Sequence, residues 1–136
     1  MIIKSYEAQK NTFNFIKYNF FLLYGENFGL KKDIKEFIKK SIIQKDDNIE
    51  ILPLYEDEIF DKEENFYNFI YSGSLFSNKK ILFINEATDK IIKKISDIYD
   101  TYPQNIFIII FSAILQKKSK LRNFFEKGKK TICIPC

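Results

Sequence analysis

The sequence predicts an α/β domain: a five-stranded parallel sheet between two layers of helices. Three observations carry this. Five short apolar runs of strand length alternate with segments whose apolar residues recur every three or four positions. The runs are too apolar to face water on either side, as in parallel sheets covered on both faces. Turn and cap residues separate nearly every run from the segment after it.

Element by element, Ser5 is expected to cap a first helix with Ala8, Thr12, Phe15 and Ile16 on its buried face. Phe20 to Tyr24 is unbroken apolar sequence ending at Gly25, and reads as a buried strand. A helix follows, with Leu30, Ile34, Phe37, Ile38 and Ile42 on one stripe. Asn48 to Tyr55 is the second strand; Pro53 within it has no donor, which assigns it to a sheet edge. Asp61 and Glu64 have capping-box spacing before a helix carrying Phe66, Phe69 and Ile70, broken by Gly73. Lys80 to Ile84 is the third strand. Thr88 precedes a helix through Ile91, Ile95, Ile98 and Tyr102, stopped by Pro103. Asn105 to Phe111 is the most apolar strand and hence central. A short helix with Leu121, Phe124 and Phe125 ends at Gly128, and Thr131 to Ile134 is the fifth strand. There is no linker, repeat or low-complexity stretch, so residues 1–136 form one domain. The final strand ends with the chain and has no polar tail, the pattern of a piece of a longer protein.

Bulk properties narrow the function less. The chain has 136 residues, 46% hydrophobic and 29% charged, with net charge +4, the profile of a globular domain. No apolar run reaches the roughly 18 residues of a membrane span, and the first ten residues lack a secretory core. A cytoplasmic location is expected. The positive charge is lysine apart from Arg122, whereas base reading favours arginine. Clusters at Lys39-Lys40, Lys93-Lys94, Lys117-Lys118-Lys120 and Lys127-Lys129-Lys130 leave a DNA-contacting module as one reading, against solvated helix faces as the other. Cys133 and Cys136 form a CxxC pair, but with no histidine and no further cysteine a zinc site lacks ligands. The pair follows a strand and does not open a helix, where a redox thiol is activated.

Two motifs carry chemical information. Tyr24-Gly25-Glu26-Asn27-Phe28-Gly29-Leu30-Lys31-Lys32 stands between a strand and a helix, the position of a phosphate-binding loop. Such a loop reads G-x-x-x-x-G-K-[ST], with amides and lysine on the phosphates and a hydroxyl on magnesium. Registered on Gly25, Lys31 matches the lysine, Leu30 replaces the second glycine and Lys32 replaces the hydroxyl residue. Gly29 lies one place early, and Glu26 brings negative charge to the phosphate position. The third strand ends in Asn85-Glu86 where an active ATPase has Asp-Glu, so magnesium loses its carboxylate. Both defects point to a nucleotide-hydrolase scaffold without catalytic residues, metal or cofactor; a small P-loop ATPase with a divergent loop is the alternative.

The second motif is Gly73-Ser74-Leu75-Phe76-Ser77-Asn78-Lys79-Lys80. Two large apolar residues sit among small and polar ones between a helix and a strand. They either fold back under the sheet or stand out as an apolar wedge for a partner. In the second case each would contribute roughly 1.5–3 kcal/mol when buried and form the hot spot of an interface.

The order of these landmarks resembles the delta subunit of the bacterial DNA polymerase III clamp loader. They are a Tyr-Gly-Glu turn with a broken phosphate loop, Gly-Ser-Leu-Phe before Lys-Lys, and an Ile-Leu-Phe-Ile strand. Leu-Gln-Lys-Lys-Ser-Lys-Leu-Arg and a closing Phe-Phe-Glu-Lys complete the set. The resemblance spans essentially the whole chain. It implies an AAA+-like, P-loop-type fold with strand order 5-1-4-3-2. It implies that Leu75 and Phe76, supported by Ser74, insert into a pocket of the beta sliding clamp and promote ring opening during DNA replication. It further implies lid and collar domains outside this chain, partnership with delta-prime and gamma/tau subunits through those regions, and contact with primed DNA only in the assembled complex.

Overall fold

The computed structural model describes residues 1–10, 13–45, 47–73 and 77–136. Five strands form one parallel sheet: β1 Phe20–Tyr24, β2 Ile49–Tyr55, β3 Lys79–Ala87, β4 Ile106–Ser112 and β5 Thr131–Pro135. Their order is β2-β3-β4-β1-β5, the order the resemblance implied, read from the other edge. β2 is an outer strand, which accommodates Pro53 without a gap in the hydrogen-bond ladder.

Side chains alternate between the two faces, as strand geometry requires. Phe20, Leu22 and Tyr24 of β1 join one core, while Phe21 and Leu23 join the other. The first core lies under four helices: α3 Glu56–Asp61, α4 Glu63–Tyr71, α5 Ile92–Tyr99 and α6 Lys120–Lys127, the last three contributing Phe66, Ile95, Ile98 and Phe125. The second lies under α1 Ser5–Ala8 and α2 Phe28–Ile42, with Ala8, Ile34, Ile38 and Ile42 buried. This is the three-layer AAA+-like architecture. β4 is central and almost wholly buried.

Four details differ from the expectation. The first helix ends at Ala8, and Phe15–Lys17 is a separate 3-10 turn; Thr12 lies outside the described residues. Ser5 is the first helical residue, preceded by Lys4 as cap. Asp61 is not a cap, because it closes α3, a helix missing from the sequence reading; Lys62 is the cap of α4. Tyr102 lies beyond α5, which stops at Tyr99 before Pro103 can act. Tyr102 still packs on β1, its ring 4.9 Å from Phe20, so its apolar spacing was real although its backbone is not helical.

Candidate functional site

Gly25 ends β1 with φ of 128°, a conformation open to glycine and strained for other residues. Its amide donates to the carbonyls of Ser112 at 3.3 Å and Ala113 at 3.0 Å, fastening the turn to the end of β4. β5 closes the other side: the Cys136 amide donates to Tyr24 O at 2.7 Å, and Asn27 N donates to Cys136 O at 3.4 Å. α2 starts at Phe28, capped by Asn27, whose Oδ1 accepts from Leu30 N at 3.0 Å. Only Glu26 and Asn27 therefore separate Gly25 from the helix. Gly29 already lies in the first helical turn.

Lys31 is 6% exposed. Its ammonium donates to Gly25 O at 2.8 Å and Ser112 O at 3.0 Å and lies 4.6 Å from the centre of the Phe28 ring. The cation thus links β1 to β4 from inside. Lys32 is exposed. Asn85 is half-buried, with Nδ2 3.5 Å from Leu54 O, a contact at the limit of a hydrogen bond. Glu86 adopts φ of 53° where the β3–β4 register shifts between Ile84 and Ala87. A cavity of about 650 Å³ opens here, and Lys31, Lys32, Asn85, Glu86 and Ser112 all line it, with the exposed Phe28 ring beside them.

The fold therefore brings four of the sequence-identified positions, Lys31, Lys32, Asn85 and Glu86, around one cavity and leaves Gly25 and Gly29 out of its lining. Ser112 was missed. It is buried, and its Oγ has no hydrogen-bond partner among the described residues. The available signal was its place as the first polar residue after the run Ile106 to Phe111.

The two cysteines are free and pack into opposite cores. Burial pushes the Cys133 thiol up to about 12 and the Cys136 thiol up to about 11, away from the thiolate a redox site needs. Among the lysine clusters, Lys94 is consumed by Glu63 at 2.9 Å. Lys117, Lys118 and Lys120 lie just after β4 or at the start of α6. Lys130, whose carbonyl accepts from Phe20 N, lies at the opposite end of the strands.

Ser74, Leu75 and Phe76 lie outside the described residues. Gly73 before them is exposed, and Ser77 after them is half-buried. Tyr71, Ser72 and Asn78 are exposed as well, and a Cβ added at Gly73 would meet none of the described residues within 4 Å.

The sequence model of the family DNA polymerase III, delta subunit, matches residues 21–136. The chain belongs to that family. The delta subunit is a component of the clamp loader, so this delta-family domain acts in DNA replication as part of that assembly. The match begins inside β1 and takes in the Gly25 turn, the Leu75–Phe76 segment and β5. No curated protein matches the chain. Among the described residues of this delta-family domain, no helix is long and apolar enough to cross a membrane.

Proposed function

We propose that this domain binds the beta sliding clamp through Leu75 and Phe76, with Ser74 in support, and thereby favours the open form of the ring. The observation that carries the reading is the setting of that pair. The two large apolar residues lie between Gly73 and Ser77; Ser72, Gly73 and Asn78 around them are exposed, Ser77 is half-buried, and a Cβ added at Gly73 would meet none of the described residues within 4 Å. Membership of the delta family supports the clamp as the partner of that pair. A rigid α/β body that binds one clamp protomer near its interface populates the open ring only as far as it binds that state better.

The domain is not itself catalytic in this reading. The Lys31 ammonium, which in a working loop would meet phosphate, is spent on the carbonyls of Gly25 and Ser112. Two residues between Gly25 and α2 are too few for a loop that must curl its amides around phosphate. Lys32 and Asn85 offer magnesium no hydroxyl and no carboxylate. ATP hydrolysis then belongs to gamma/tau partners, met together with delta-prime through regions outside this chain, in the cytoplasm. Primed DNA is contacted in the assembled complex, consistent with lysines divided between opposite ends of the sheet.

The test is clamp binding by surface plasmon resonance. Leu75→Ala with Phe76→Ala is expected to weaken binding by about two orders of magnitude or more, given roughly 1.5–3 kcal/mol per buried side chain. Wild-type binding by that variant would remove the site assignment. Calorimetry with ATP and magnesium tests the second half: no binding is expected, and micromolar affinity would restore the ATPase reading.

A further inference from the structure

Successive residues of a strand face opposite sides of a sheet, and β3 opens with two lysines, Lys79 and Lys80. Their ammonium groups therefore go to different layers. The Lys79 ammonium donates to Ile42 O at the end of α2, 3.0 Å away, and to Asp47 Oδ2, 2.7 Å away. This contact, with the Gln44 amide, holds the Asp47 carboxyl below its usual range. Asn78, one residue earlier, joins the same cluster. Its Nδ2 donates to Asp47 Oδ1 at 3.0 Å, its Oδ1 accepts from Asn48 N at 2.9 Å, and its own amide donates to Asn48 O at 2.9 Å.

Lys80 goes the other way and is 3% exposed. Its ammonium donates to Phe69 O at 2.8 Å, to the Ser72 carbonyl and to Ser72 Oγ at 3.4 Å, and lies 5.4 Å from the centre of the Phe69 ring. All of these acceptors belong to the last turn of α4 or the residue after it. A buried ammonium is costly unless its protons are satisfied, and helix-end carbonyls satisfy it and favour positive charge. Neighbouring inward positions of β3 are Leu82 and Ile84, so an apolar side chain would fit this layer. The lysine instead ties the end of one element to the start of the next. The connection it closes, residues 73–77, is the one that carries Leu75 and Phe76.

We propose that Lys80 is a positioning residue for clamp binding. It fixes the point where the chain leaves α4, as the Asn78–Asp47–Lys79 cluster fixes the point where it enters β3. The two flanking points, Ser72 and Asn78, are then held before a partner is met, which lowers the freedom lost on docking. This rests on the clamp-binding reading above.

The experiment measures affinity for the beta clamp by surface plasmon resonance for wild type, Lys80→Met, Lys80→Arg, Leu75→Ala and Lys80→Met combined with Leu75→Ala. Circular dichroism fixes the folded fraction of each. Lys80→Met is expected to bind about tenfold more weakly while folded, by the loss of pre-organisation. Lys80→Arg, which keeps the donors, is expected to recover most of that factor. In the Leu75→Ala background the factor is expected to shrink, since the two residues act through one segment. Wild-type affinity for folded Lys80→Met, or the same loss with and without Leu75, would overturn the proposal. If Leu75→Ala itself binds like wild type, the clamp-binding reading fails first. Should Lys80→Met not fold, Asn78→Ala reports on the other end of the segment; its side chain is exposed. Weaker clamp binding is expected there, and an unchanged affinity overturns the proposal.

Discussion

The ammonium of Lys31 lies 3.0 Å from the carbonyl of Ser112, joining the start of α2 to the end of β4 across the Gly25 turn. A lysine that in an active relative of this architecture would face phosphate is here a buried brace. Replacing it with an apolar side chain leaves the Gly25 and Ser112 carbonyls short of a donor. Lys31→Met is expected to lose about 1–3 kcal/mol of stability, the cost of unpaired buried polar groups. Urea denaturation measures it. A midpoint equal to wild type would mean that the carbonyls find other donors.

The Gly25 turn admits no side chain. A Cβ there would come within 2.4 Å of Cys136 O, and φ of 128° is strained for any L residue. Gly25→Ala is expected to cost about 2 kcal/mol or more. For a domain of this size that lowers Tm by roughly 4 °C or more. Gly73→Ala, where a Cβ would meet none of the described residues within 4 Å, is the matched control and is expected to leave Tm nearly unchanged.

The buried thiols contribute to the loss of stability at alkaline pH. Cys133 and Cys136 hold their protons to about 12 and about 11 in the folded protein, against 9.0 for a free thiol. Between those values the unfolded chain has released protons that the folded one retains. Stability then falls as pH rises, and is fully present below pH 9. Chemical denaturation from pH 8 to pH 11 checks the slope, which Cys133→Ala should reduce. At pH 8 the native protein is expected to react slowly with Ellman's reagent and to titrate two thiols once unfolded.

At the acid end, Asp89 is the group to watch. It accepts from Ser119 Oγ at 2.6 Å and Leu121 N at 3.1 Å, and the serine hydroxyl above all holds its carboxyl below the usual range. Ser119 in turn caps α6, accepting from Arg122 N at 3.1 Å. A depressed carboxyl contributes stability above its unfolded value, lost as pH falls through the folded one. Ser119→Ala is expected to cost about 1 kcal/mol and to flatten the decline below pH 4. Thermal melts at pH 3 and pH 7 read both effects.

Much of this fold was legible because buried parallel strands announce themselves. Phe20–Tyr24 was bounded to the residue, and Pro53 identified its strand as an edge. Short helices without a full apolar period were not. α3 has six residues, follows β2 directly, and starts with Glu58 Oε1 accepting from Tyr55 N at 3.0 Å; its Asp61 then mimicked the cap of the next helix. The site was legible by residue type alone. Lys31, Lys32, Asn85 and Glu86 were named from spacing, but their sharing one cavity, and Lys31 turning inward, depend on carbonyls that no pattern reveals. Lys80 was read as half of a basic pair. Its partners are main-chain oxygens eight and eleven residues earlier, invisible until α4 is packed on β3.

Both outer margins of the sheet are blocked against lengthening. On one side Pro53 withholds a proton from any ribbon laid along β2. On the other, Ile2 bridges Cys133, Cys133 N donates to Met1 O and Ile3 N donates to Cys133 O, each at 2.9 Å, so β5 is already occupied. Lengthening of the sheet by main-chain zippering is thereby disfavoured at both margins.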